Sequence, residues 1–201
     1  MSLVLKIPGP IALSRFRLDK LLGAAREQQP KLDSIRARFW HFVELTRPLS
    51  TTERDVLDRL LNYGHPGEDP GERARVLVVV PRLGTVSPWS SKATDIAHSC
   101  GLVPVLRIER GIAYSLYSRP GLALQGAELG VIRPLLFDRM TETVLNSVEG
   151  AEGIFRHMEP APLVTIALLT SGESDVGANQ RSGRSLSASS LPALARISSK
   201  R

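Results

Sequence analysis

The sequence predicts an α+β fold in which two pseudo-repeated strand/helix halves share one antiparallel or mixed sheet, with helices packed on it. Two observations support this prediction. Strand and helix patterns alternate twice, before and after a loop of proline, glycine and acidic residues at 64–71. The apolar run 76–80 is typical of a strand covered on both faces, so layers should lie on both sides of the sheet.

The first half contains strand, helix, strand and helix. Residues 3–7 form a short apolar strand that Pro8-Gly9-Pro10 closes. The next segment is predicted to be helical, and its apolar positions share one face. They are Leu18, Leu21, Leu22 and Ala25. Residues 35–45 alternate with a period of two, which predicts a long, half-buried strand. The sequence Ser50-Thr51-Thr52-Glu53 is a capping box and begins the second helix.

The second half is organised around the helix that follows the apolar strand. Ser87 can serve as its N-cap, Pro88 occupies its first position, and Gly101 suits a left-handed C-terminal cap. The apolar positions of this helix form one stripe that should face a core. They are Trp89, Ala93, Ile96, Ala97 and Cys100. A thiol buried in this way is expected to be inert.

Two further elements are predicted beyond this helix. Residues 103–108 and 112–118 are interpreted as two strands of a hairpin, with Gly111 supplying the positive φ of its turn. Pro134 opens a last helix, on which several side chains share a face. They are Leu136, Met140, Thr143, Val144 and Ser147.

The C-terminal part has a different composition. Residues 160–169 suit an edge strand, but nine serines follow between Ser171 and Ser199, with glycines and arginines and no sustained period. We therefore expect a domain at 1–157, the start of a linker at 158–170 and a disordered, off-pattern tail at 171–201.

Composition limits the possible compartments and partners. Cys100 is the single cysteine, which excludes an intramolecular disulfide framework and fits a reducing cytosol. No apolar stretch approaches the ~20 residues of a membrane helix. About half of the net charge of +6 lies in the tail, and no nucleic-acid recognition pattern accompanies it. We expect a soluble, cytoplasmic protein that binds neither nucleic acid nor membrane.

The candidate site is a polar cluster at the start of the second-half helix. Its members are Ser87, Ser90, Ser91, Lys92, Thr94 and Asp95. Free N–H groups at a helix start favour an anion or a carboxylate, and short polar side chains suit a contact with another domain. A plain solvated helix start, with Lys92 and Asp95 as an exposed pair, is the alternative. The four scattered histidines are interpreted as satisfied polar groups.

Several stretches together resemble a known family. The runs 81–98 and 107–114 are similar to the N-terminal domain of the large, single-chain phosphoribosylformylglycinamidine synthase of purine biosynthesis. Shorter runs at 12–17, 57–64 and 138–144 follow the same pattern, so the resemblance covers roughly residues 3–169. Leu83 stands where the family usually has proline, and Ser99 where it often has asparagine.

The resemblance implies a ligase that uses glutamine-derived ammonia and ATP with magnesium. That enzyme converts formylglycinamide ribonucleotide to its amidine and releases glutamate, ADP and phosphate. A linker, an ATP-binding synthetase region and a C-terminal glutaminase follow the N-terminal domain, which is similar to a dimer of the separate small subunit of multi-subunit forms. The family's catalytic residues lie in those later domains. No catalytic, cofactor-binding or metal residue is therefore assigned here, and this chain alone is expected to bind neither ATP nor magnesium.

The resemblance stops near residue 169, just before the predicted tail at 171–201. We therefore expect an N-terminal fragment that supplies a structural module, has the other synthase domains as partners and is inactive alone. The alternative is a stand-alone nucleotide-binding or regulatory module that uses the start of the helix at Ser87.

Overall fold

A computed structural model describes residues 3–71 and 73–156. These residues form an α+β fold, as the sequence predicts. The elements in chain order are β1 (Leu3–Ile11), α1 (Arg15–Gln28), β2 (Leu32–Leu45), α2 (Thr51–Leu61), β3 (Arg75–Pro81), α3 (Pro88–Ser99), β4 (Val105–Ser118), α4 (Gly126–Ile132), a 3₁₀ helix (Arg133–Leu135), β5 (Glu142–Leu145) and a second 3₁₀ helix (Glu149–Phe155). The predicted linker and tail lie outside the described residues.

The strands form one antiparallel sheet in the order β1-β2-β4-β3-β5. The two 14-residue strands β2 and β4 pair at its centre, with Leu32 opposite Ser118 and Phe39 opposite Ile112. β1 flanks β2, and β3 flanks β4. Each predicted half therefore contributes one long central strand and one neighbour. The likeness to a dimer of a small subunit stays a prediction.

Apolar side chains cover both faces of the sheet. One face of β2 and β4 carries Ile35 and Leu116 against α1 and α4, and Val43 and Ile108 against α2 and α3. The opposite face buries a smaller cluster under the second 3₁₀ helix. Its members are Phe42, Val78, Val80, Ala113, Ala151 and Ile154. β3 is thus covered on both sides, which explains its unbroken apolar run.

The predicted helix caps are confirmed. Ser50 and Glu53 form a reciprocal capping box at the start of α2. At the end of α3, Gly101 adopts a φ of +83°, and the N–H of Leu102 donates to the carbonyl of Ala97 at 3.0 Å. This Schellman turn carries Leu102 into the core, where it is 1% exposed.

That turn also corrects the prediction for Cys100. Cys100 is exposed, because it occupies the C-cap position beyond the last turn of α3, and Leu102 takes the core place instead. Ile96, assigned to the same inward stripe, is 54% exposed. The stripe that faces the core is therefore narrower than predicted, with Ala97 fully buried and Trp89 and Ala93 half-buried against it.

The predicted hairpin at Gly111 is wrong. Residues 105–118 form one continuous strand, and Gly111 pairs opposite Trp40 within the ladder. The glycine is needed for space rather than for a turn, since a Cβ there would lie 2.7 Å from the carbonyl oxygen of Val79.

Two other element predictions need correction. The last helix predicted from Pro134 is absent from the described residues, which place one 3₁₀ turn, β5 and a second 3₁₀ helix at 133–155. The short helix α4 precedes Pro134, in a segment that the sequence left without an element. β1 continues to Ile11 through Pro8-Gly9-Pro10, because an edge strand tolerates the missing proline N–H groups.

Candidate inter-domain surface

The polar side chains at the start of α3 divide into an inner and an outer group. In the inner group, the Ser87 Oγ accepts a hydrogen bond from the N–H of Ser90 at 3.0 Å, as predicted for an N-cap. The Thr94 Oγ1 accepts from the N–H of Ile108 at 3.0 Å and so ties α3 to β4. Ser90 is fully buried, and its Oγ has no hydrogen-bond partner among the described residues.

A buried carboxylate completes the inner group. Glu109 lies on β4 with no exposed surface, and it accepts hydrogen bonds from the N–H of Ser87 at 3.1 Å and from its hydroxyl at 2.7 Å. Arg107 forms an ion pair with the same carboxylate and donates to the carbonyl of Thr85. The negative charge expected at this helix start is thus supplied by the chain itself.

Arg107 also reaches the opposite face of the sheet. Its guanidinium lies 5.4 Å from the centre of the Phe155 ring and donates to the carbonyl of Ile154 at 3.5 Å. One side chain therefore connects the approach to α3, the strand β4 and the second 3₁₀ helix. Sequence analysis missed this network because its members are far apart in the chain.

The outer group consists of Ser91, Lys92 and Asp95, which are exposed. No ion pair joins Lys92 to Asp95 in the described part of the chain, so both side chains remain available to other groups. Lys92 borders an apolar cavity of about 300 Å³ between α2 and α3. The cavity is lined by Leu60, Leu61, Tyr63, Trp89, Lys92, Ala93, Ile96 and Ile108.

An arginine sandwiched by aromatic rings lies beside this cavity. The Arg110 guanidinium is 4.2 Å from the centre of the Phe39 ring and 4.6 Å from that of Trp89. It also donates to the Tyr63 hydroxyl at 3.3 Å. These cation–π contacts hold the half-buried Trp89 ring in place, and with it the first turn of α3.

His41 lies beneath the same rings and is fully buried. Its Nε2 shares a 2.7 Å hydrogen bond with the Tyr63 hydroxyl. Burial, together with the charge of Arg110, lowers the pKa of His41 to about 4, and a smaller effect of the Ile7 backbone opposes it. His98 is a satisfied polar group as predicted, because its Nε2 donates to the carbonyl of Val105 at 2.6 Å. His41 departs from the prediction, since its Nδ1 is buried with no hydrogen-bond partner among the described residues.

Residues 3–71 and 73–156 contain no group of three His, Cys, Asp or Glu side chains arranged to hold a metal ion. No helix in this part of the chain is both long and apolar enough to cross a membrane.

Comparison with known families agrees with the resemblance seen in the sequence. The family model described as formylglycinamide ribonucleotide amidotransferase N-terminal matches residues 38–155. The match begins within β2, ends at the second 3₁₀ helix and includes Tyr63, the whole of α3 and the Glu109 network. Because it spans more than half of the sequence, the chain belongs to the N-terminal domain family of formylglycinamide ribonucleotide amidotransferase, the purine-biosynthesis enzyme also called phosphoribosylformylglycinamidine synthase.

Proposed function

We propose that this chain is an N-terminal fragment of the amidotransferase and that its domain acts as a structural module. The complete enzyme would convert formylglycinamide ribonucleotide, glutamine and ATP to the amidine, glutamate, ADP and phosphate. The chemistry and the magnesium–ATP would belong to the later synthetase and glutaminase domains. The role of the described domain would be to pack against them, in the cytoplasm.

The observation that carries this proposal is the division of the polar cluster on α3. The inner side chains of Ser87 and Thr94 form hydrogen bonds with β4, so they hold the helix rather than a ligand. The outer face presents Ser91, Lys92 and Asp95 beside an exposed Ile96 and the apolar cavity. Short polar side chains such as Ser91 and Asp95 beside apolar surface suit a contact between domains, because they lose little rotamer entropy when they become ordered.

The test uses the full-length enzyme with the double substitution Lys92→Ala/Asp95→Ala. We expect its melting temperature to fall by a few degrees and amidine formation to weaken, since both depend on domain packing. Glutamine hydrolysis by the same full-length variant should be unchanged, because that chemistry would belong to the C-terminal domain. The matched control, Lys20→Ala/Glu27→Ala, removes the same charges from exposed positions on α1 and should change none of these quantities.

Two results would contradict the packing role. Loss of amidine formation with an unchanged melting temperature and unchanged domain association would indicate that the cluster belongs to the active site. Tight binding of the substrate nucleotide or ADP by this chain alone, weakened by Lys92→Ala, would favour the alternative of a stand-alone nucleotide-binding or regulatory module. The Glu109 carboxylate at the start of α3 argues against that alternative, because it occupies the position that an anion would take.

A further inference from the structure

A second cavity lies at the end of the sheet away from the start of α3. β2 and β3 both run antiparallel to β4, so the first residues of β2 and β3 and the last residues of β4 meet at the same end. A cleft of about 760 Å³ opens there. Its volume falls within the range of pockets that hold small molecules, roughly 300–1,000 Å³.

The cleft is strongly basic. Its charged lining residues are Arg36, Arg73, Arg75, Arg119 and Asp33. Two of them already have ion-pair partners. Asp33 lies 3.8 Å from Arg26, and Arg36 pairs with Glu68. The other three arginines are exposed and form no ion pair with any residue of 3–71 and 73–156.

Local contacts hold the Arg36 guanidinium and the Arg119 backbone in place. The Arg36 guanidinium lies over the Tyr117 ring, 5.4 Å from its centre. The N–H of Arg119 donates to the carbonyl of Lys31 at 2.9 Å, and the turn that follows is closed by a 3.0 Å hydrogen bond from the N–H of Leu122 to the carbonyl of Arg119. Gly121, with a φ of +78°, allows that turn. The cleft is therefore partly preorganised before a ligand arrives.

We infer that this cleft binds a small molecule that carries at least two phosphate groups. The planar guanidinium group matches phosphate oxygens in bidentate geometry. The positive charge of three arginines without ion-pair partners among the described residues exceeds the negative charge of one carboxylate or one phosphate group, so a ligand with several phosphates fits better. The arginines are gathered in one cleft rather than along a groove, which favours a compact ligand over a nucleic-acid strand. The site lies at the end of β3 opposite to α3, so it is separate from the proposed packing surface.

The inference is tested by calorimetric titration of the full 201-residue chain. The probes are inorganic tripolyphosphate, ATP, inorganic phosphate and a single-stranded RNA oligonucleotide. Tripolyphosphate should bind more tightly than phosphate, and its affinity should fall as salt rises. Comparing ATP with tripolyphosphate shows whether a nucleoside adds affinity. The inference would be overturned if the RNA bound more tightly than both ATP and tripolyphosphate and its affinity increased with oligonucleotide length.

Substitutions locate the binding. Arg119→Gln should weaken tripolyphosphate binding about tenfold, which corresponds to the loss of one charge-assisted hydrogen bond. Arg139→Gln removes the same charge from an exposed position just before β5, at the other end of β3, and should leave binding unchanged. Glu68→Gln should tighten binding, because it releases Arg36. Equal losses in Arg119→Gln and Arg139→Gln, or no binding by the unsubstituted chain at millimolar concentrations, would refute the site.

Discussion

The buried imidazole of His41 makes unfolding depend on pH. The folded protein holds this ring neutral down to about pH 4, whereas an unfolded chain protonates it near 6.5. The unfolded state therefore binds more protons within this window, and the free energy of unfolding should fall as pH decreases from about 6.5 to about 4. The expected loss is about 3 kcal/mol, with no further contribution from His41 below pH 4.

Urea unfolding at several pH values measures this effect. His41→Gln should abolish most of the slope between pH 4 and 6.5, while His98→Gln, which changes an exposed histidine, should preserve it. A slope that is equally steep in both variants would show that another group is responsible. The effect of Glu53 can be separated from that of His41. The pKa of Glu53 is lowered to about 2, above all by the hydrogen bond from Arg47. Its contribution to the free energy of unfolding is therefore lost only below about pH 4.5.

Sequence reasoning at this scale works where the partners are close along the chain. Ser87 was identifiable as an N-cap from Pro88 beside it and from the helical pattern that follows, and Ser50 from Glu53 three positions on. Glu109 was not identifiable as the carboxylate at the same helix start, since only the fold brings β4 beneath α3. The sandwich around Arg110 was missed for the same reason, because Phe39 and Trp89 come from different elements.

The continuity of β4 depends on Gly111, where the neighbouring strand leaves no room for a side chain. In Gly111→Ala the new Cβ would lie 2.7 Å from the Val79 carbonyl oxygen and 3.2 Å from the Phe42 ring, both in packed strands. We expect a loss of about 1–3 kcal/mol in the free energy of unfolding, as for other overpacked cores.

The matched control for Gly111→Ala is Gly23→Ala, within α1. A Cβ at Gly23 meets nothing within 4 Å, and alanine favours the helix, so a gain of roughly 0.5–1 kcal/mol is expected. Chemical denaturation measures both changes. Stabilisation by Gly111→Ala would mean that β4 and β3 move apart without cost, contrary to the tight approach described here.

Elements with strong periodicity were predictable, and those defined by distant packing were not. The alternation of residues 35–45 and the apolar run 76–80 identified β2 and β3. Glycine at 111 resembles a turn signal because its local conformational freedom is visible in the sequence, whereas the crowding by Val79 is not. The helical spacing after Pro134 was misleading, because β5 pairs with β3 and Leu136 packs into the core, and neither contact is visible in the local sequence.

At the scale of the whole molecule, exposed apolar side chains bear on assembly. Ile96, which lies beside the proposed packing surface, is 54% exposed, and Val103, in the turn that follows α3, is 79% exposed. If other domains cover this region in the complete enzyme, this chain alone should self-associate. Light scattering should show an apparent mass that rises with concentration and falls again in Ile96→Lys. The comparable change at an exposed α1 position, Phe16→Lys, should have no effect, and a monomer at every concentration would contradict the prediction.

The central pairing of β2 with β4 has a consequence for synthesis on the ribosome. All of residues 46–104 separate the two strands, so β2 emerges long before its principal neighbour exists. At a translation rate of ~5–20 residues per second, the nascent chain carries β2 for several seconds with one edge open. β1 is available from the beginning and covers the other edge. We expect the interval before β4 emerges to be the period in which this nascent chain is most exposed to aggregation and benefits most from a chaperone.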